Sequence, residues 1–149
     1  MNTVSPDHPS SVEIRAFAIE AYDQVLALWR QCEGVGLSRA DSREAILAYL
    51  DRNPGMSLIA CEGDTVVGAI LCGHDGRRGY IHHLAVHPGH RRRGIGRAIA
   101  ERCLDDLKRQ GIDKCHIFIF NTNQTAIAFW RAMGWSSRRD IGIFSKDIR

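Results

Sequence analysis

The sequence predicts an α/β (α+β) fold: a single domain with a mixed, mostly antiparallel central sheet flanked by about four helices. Three observations predict it. The apolar period is 3.6 in the first third of the chain, falls to near 2 over "MSLIACEGDTVVGAILCGHDGRRGYIHHLAV", and returns to 3.6 after residue 94. The connections are short and rich in Gly, Asp and Pro, with no linker, internal repeat or low-complexity tract. Finally, a strand-like "YIHHLAV" runs through "HPGHRRRG" straight into an amphipathic helix.

The elements read in the order β-α-α-β-β-β-α-β-α-β-β. Residues 12–18, "VEIRAFA", alternate as a first strand, and Val25, Leu28, Trp29 and Cys32 recur at helical spacing until "EGVG" stops them. In "DSRE", Asp41 as N-cap with Glu44 three residues on predicts a second helix with a buried stripe of Ile46, Leu47 and Leu50, closed by "RNPG". Turns at Gly63-Asp64 and "GHDGRRG" divide the middle into three strands, for which an antiparallel meander is the economical topology. A helix follows from about 95 to 110, with Gly111 past its end, then a strand "KCHIFIF". "QTAIAFWRAM" is the last helix, closed by Gly134, and "WSSRRDIGIFSKDI" reads as two strands about a turn near Asp140. Residues 1–11 read as a mobile tail, leaving 12–149 as the domain.

Composition narrows the function. A formal charge of +3 is too small by itself to argue for a nucleic-acid binder; Arg91, Arg92 and Arg93 make the one real cluster, and elsewhere Glu101, Asp105 and Asp106 interrupt the basic residues. Five cysteines, odd in number and without C-x-x-C spacing, sit in apolar segments, which favours a reducing cytoplasm over disulfides. No export signal and no apolar run of membrane-spanning length is visible.

The stretch "HLAVHPGHRRRGIGRA", residues 83–98, carries the chemistry. The first N–H groups of a helix have no intrahelical partner and attract anions; Gly94 and Gly96 let a ligand approach them, and Arg91, Arg92, Arg93 and Arg97 add charge. Glycines for tight packing beside a solvated basic face are the bland alternative. A metal site is the runner-up for His82, His83, His87 and His90, but neighbouring strand residues point to opposite faces and Pro88-Gly89 should keep His87 and His90 apart, so no metal is expected. The spacing matches neither the G-x-x-x-x-G-K loop nor the dinucleotide fingerprint.

R-x-x-G-x-G, formed by Arg91, Gly94 and Gly96 after "LAV", resembles the coenzyme A pyrophosphate loop of the GCN5-related N-acetyltransferase (GNAT) superfamily, in its small bacterial-type single-domain form. "NQTAIAFWRAMGW" is similar to that family's second signature, and the order of elements agrees over nearly the whole chain. The resemblance implies that backbone groups of Leu84, Ala85 and Val86 pair with the pantetheine arm as an added strand. It further implies that the amides from Arg92 through Ile95 to Arg97 hold the pyrophosphate, that Asn123 contacts the pantetheine, and that Phe129 and Trp130 flank the thiol end.

The implied activity is an acyltransferase reaction: an N-acetyltransferase moving acetyl from acetyl-CoA directly to a primary amine in a ternary complex. An ammonium cannot attack until a base removes a proton, and the thioester oxygen needs a donor as it turns negative. Leu84 N–H is the family's oxyanion donor by position. His82, two residues before it and similar to the arylalkylamine acetyltransferases, is the candidate base, with Tyr80 on the same face. Either strand histidine could instead be a surface hydrogen-bonding group. Trp130 stands where many relatives carry a Tyr that protonates the thiolate, and an indole does not do that. This departure keeps open a noncatalytic acetyl-CoA-binding sensor module. The implied acceptor is a small-molecule amine or a peptide or protein amine, with no nucleic-acid or membrane partner; oligomeric state, a homodimer included, stays open.

Overall fold

The computed structural model describes residues 11–149, so the expected tail lies, but for Ser11, outside the described residues. They form two compact units, one ending at Phe118 and the other Ile119–Arg149.

In the first unit, strands β1 (Val12–Ala16), β2 (Leu58–Glu62), β3 (Thr65–His74), β4 (Gly79–Val86) and β5 (Cys115–Ile117) form one sheet in sequence order. Every pairing is antiparallel except β4 with β5. The β2–β3 turn uses Gly63 at φ +61°. At the β3–β4 turn the Asp75 carboxylate accepts the N–H groups of Arg77 and Arg78, both at 2.8 Å.

Helices α1 (Tyr22–Gln31) and α2 (Arg43–Arg52) cover one face of the sheet. Phe17, Val25, Leu28, Trp29 and Ile46 pack there on Ile59, Cys61, Ala69, Leu71 and Ala85. Helix α3 (Ile95–Arg109) packs on β2, β3 and β4 through the intervening positions. Its buried residues Ile95, Ile99, Cys103 and Leu107 follow helical spacing. Gly111, at φ +82°, ends α3 as expected: its N–H bonds to Lys108 O and that of Ile112 to Leu107 O, each at 3.0 Å.

Gly73 of β3 is needed for space rather than for its φ. A Cβ there would lie 2.6 Å from both Asn53 and the Tyr49 hydroxyl, and Asn53 Oδ1 is pinned at 3.0 Å by the His74 N–H. Gly73→Ala is therefore expected to destabilise by about 1–3 kcal/mol in urea unfolding. Gly79→Ala should lose less, because its clash is with the flexible end of Leu107.

Several expectations are corrected. Ser42, not Asp41, caps α2 by accepting the Ala45 N–H at 3.2 Å. Asp41 instead closes a 3-10 turn, Arg39–Asp41, in a capping box with Ser38, whose N–H it accepts at 2.9 Å. Leu47 is exposed, and the face of α2 turned to the core carries Ile46 with the half-buried Tyr49 and Leu50. The strand in "KCHIFIF" is only Cys115–Ile117.

The second unit contains α4 (Gln124–Ala132), capped by Asn123, whose Oδ1 accepts the Ala126 N–H at 3.1 Å. Its end is a Schellman motif: Gly134 has φ +91°, and Trp135 N–H reaches Trp130 O at 3.0 Å. The two expected final strands are absent. Ile141, Ile143 and Phe144 alternate too weakly to define one buried face and stand exposed, and a strand without a ladder partner is not stable by itself.

Candidate active site at the open edge of β4

Strand β4 is broken in the middle. Its pairing with β3 passes from Ala69↔Ala85 to Leu71↔His82, so His83 and Leu84 fall outside the register. His83 has φ +51°, uncommon for a residue with a side chain. This bulge shifts the parity of the strand. Gly79 lies against Leu107 of α3, so Tyr80 and His82 face α2, and after the bulge Ala85 faces the α1 side too.

On its other edge β4 pairs with β5 only from Gly79 to Ile81. From His82 to Val86 that edge has no strand partner within the first unit. His87 N–H bonds Val67 O at 2.8 Å, so by antiparallel alternation the main-chain groups of Val86 point away from β3, toward the open side. Its carbonyl already accepts Arg91 Nε at 3.3 Å and Cys32 Sγ at 3.6 Å, which leaves the Val86 N–H.

His82 and Tyr80 share a face as expected, joined by Phe118, which stacks on both with centroids 6.1 and 6.2 Å away. His116 lies beside Tyr80 at 5.9 Å and Tyr49 beside His82 at 6.3 Å. Burial among these rings, reinforced by the neighbouring His83, lowers the pKa of His82 despite the opposing pull of Asp41. Both effects favour the neutral form of this imidazole.

The bulge also brings His83 onto the same side, its ring 6.4 Å from that of His82, where simple alternation places them on opposite faces. His83 Nε2 lies 2.8 Å from Oδ1 of Asp41, which is 6% exposed. The Tyr22 hydroxyl donates to Asp41 O at 2.6 Å. Trp29 donates from Nε1 to the His83 carbonyl at 3.2 Å and meets its ring edge-on at 5.1 Å.

The loop after β4 ends at the head of α3. Arg92 (φ +64°) and Gly94 (φ +76°) are both left-handed, and such backbone gathers successive N–H groups into an anion-holding concavity. Helix α3 has no side-chain cap, and its first internal bond is Ala98 N–H to Gly94 O, so the amides of Ile95, Gly96 and Arg97 precede the ladder. A hollow of about 240 Å³ lined by Val12, Ile14, Arg93, Gly94 and Ile95 opens there. Arg93 pairs with Glu62 at 3.4 Å and Arg97 with Glu101 at 2.9 Å.

The family-model comparison decides what this arrangement belongs to: the acetyltransferase (GNAT) family matches residues 22–135. The chain is a member of the GNAT acetyltransferase family. An acetyltransferase of Sodalis glossinidius is 30% identical over 139 residues, covering 92% of this chain and 96% of that protein. Among solved structures, the PaiA N-acetyltransferase from Thermoplasma acidophilum in complex with coenzyme A superposes with a TM-score of 0.77 at 19% identity, over 89% and 94% of the two chains. The ribosomal-protein-S18-alanine N-acetyltransferase of Escherichia coli gives 0.69 at 16%, over 83% and 77%.

This GNAT chain has no described helix long and apolar enough to cross a membrane, and no set of three or more His, Cys, Asp and Glu among the described residues that could hold a metal ion. One argument against metal is nevertheless corrected. Pro88–His90 forms a 3-10 turn that brings the His87 and His90 rings to 5.3 Å, with His90 also 3.4 Å from Glu62. Three thiols are held in their protonated, poorly nucleophilic form: burial raises Cys61 and pushes Cys115 up to about 12, while the Cys72 thiol and burial raise Cys103.

Three expected GNAT site residues lie in the second unit. Asn123 caps α4, and buried Trp130 meets Phe129 at 5.1 Å and Trp135 at 4.8 Å, both edge-on. Asp41 and Trp29 were not expected in the site. Nothing in the sequence signals a pairing 42 residues long between a cap-like Asp and a strand His, because it exists only once the bulge turns His83.

Proposed function

We propose that this protein is an acetyl-CoA-dependent N-acetyltransferase, and the observation that carries the proposal is the open β4 edge, from His82 to Val86, leading into the uncapped head of α3. A slender arm with hydrogen-bonding amides can lie along such an edge, and a diphosphate suits the N–H groups beyond it. Leu84 and Val86 would hold the pantetheine arm, with Ala85 between them anchored to β3, and residues 92–97 the pyrophosphate. Acetyl-CoA supplies the activated acetyl group.

His82 takes the proton from the acceptor ammonium, directly or through water, so that the amine can attack. Burial suits it to the task, because the neutral form accepts a proton. Leu84 N–H donates to the thioester oxygen as charge develops there. In the second unit, Asn123 keeps an amide nitrogen beyond its capping bond, and the Trp130 indole would not deliver a proton to a thiolate. The acceptor is a small-molecule amine or a protein amine, the latter class including the S18 alanine named for one structural relative. The domain, residues 12–149, would act in the cytoplasm.

Calorimetry with acetyl-CoA, followed by free-thiol release over a panel of amines and peptides, tests this reading. Binding with thiol release on some amine is expected. Binding with no turnover on any acceptor would favour the acetyl-CoA sensor, the reading that Trp130 keeps in play, and absence of binding would exclude both.

A further inference from the structure

We infer that Trp29, His83 and Asp41 form a clamp that aims the Leu84 N–H, making these three residues the positioning device of the oxyanion donor. The inference rests on the acetyltransferase reading and adds to it residues that its signatures do not contain. A peptide group is planar and trans, so the carbonyl of His83 and the N–H of Leu84 are two ends of one rigid plate pointing in opposite directions. Trp29 Nε1 grips the carbonyl end at 3.2 Å. The direction of the Leu84 N–H is therefore set by a fully packed side chain of α1, which is 1% exposed.

The same plate is held from its other side. His83 sits at φ +51°, a conformation from which an L-residue tends to relax by rotating the adjoining peptides. Its ring is fixed by Asp41 at 2.8 Å and by the edge of Trp29 at 5.1 Å. Asp41 is in turn held through Oδ2 by the Ser38 N–H at 2.9 Å and through its carbonyl by the Tyr22 hydroxyl at 2.6 Å. A carboxylate accepts only, so Nε2 of His83 carries the hydrogen in this contact. The clamp thus runs from the connection between α1 and α2 to the one amide whose aim matters for the reaction.

The test needs no acceptor. In infrared difference spectra of the intact protein with acetyl-CoA isotopically labelled at the thioester carbonyl, the bound band should lie below that of the free thioester. Trp29→Phe, which removes the indole N–H, and His83→Gly, which accepts a positive φ without a ring to anchor, should each lose most of that shift. Affinity for CoA should stay within about 3-fold, because the diphosphate loop is untouched. His83→Gln, whose amide nitrogen reaches about as far as Nε2 and can donate to Asp41, should recover part of the shift. Turnover on an acceptor found in the panel should fall about 10- to 100-fold in Trp29→Phe and His83→Gly. A bound band that keeps its position in His83→Gly overturns the clamp, as does an unshifted band in the unaltered protein. Failure of the unaltered protein to bind acetyl-CoA at all instead overturns the underlying acetyltransferase reading.

Discussion

Valine at both Gly94 and Gly96 is expected to reduce CoA affinity by about 100-fold or more, since two charge-assisted hydrogen bonds to the diphosphate are lost at about 1.5–3 kcal/mol each. The loss should come from occupied ligand space. A Cβ on Gly94 meets nothing within 4 Å in the protein itself, so the side chain would stand in open space beside the first amides of α3. Gly94 also has φ +76°, and a β-branched residue there adds strain of about 1–2 kcal/mol. Calorimetry and a thermal melt on the same sample separate the two effects: a lowered melting temperature with unchanged CoA affinity would contradict the assignment of this loop.

His82→Gln is expected to lower kcat by about 100- to 10,000-fold, the range for loss of a general base, with CoA affinity preserved. The pH dependence identifies its role. Burial comes first and His83 second in lowering the pKa of His82, so its neutral, proton-accepting form persists below the usual histidine value of about 6.5. The acid limb of kcat/KM should thus fall below about pH 6.5 and disappear in the variant. Stability follows the same sign. The unfolded imidazole binds its proton more tightly than the folded one, so the contribution of His82 is complete above about pH 6.5 and is lost as pH falls toward the depressed folded value. An acid limb at or above pH 6.5 that survives His82→Gln would assign proton removal elsewhere.

Periodicity made the β2–β3–β4 meander, α1 and α3 legible, because each buries a stripe that its own residues declare. The end of the chain misled for the same reason. "DIGIFSKDI" alternates locally, but alternation says nothing about whether a partner strand exists, and Phe144 stands fully exposed. Around Asp41 the error was local in kind: two adjacent capping residues compete, and Ser42 takes α2 while Asp41 is claimed by Ser38 and His83. The turn into α3 was visible in Gly94, yet the left-handed Arg92 was not, because nothing about arginine announces a positive φ. The effect of the bulge on His83 is not legible in the sequence, since a parity change overrides the alternation on which strand reading depends.

The unfinished pairing beyond Ile81 carries a hazard as well as an opportunity. A bare rim of main-chain donors and acceptors invites a foreign chain to stack on it and begin an aggregate. The kink at His83 breaks the regular repeat of those groups, so a neighbour of even pleat cannot pair with them in step. Such an interruption works against edge-to-edge stacking of one copy on the next.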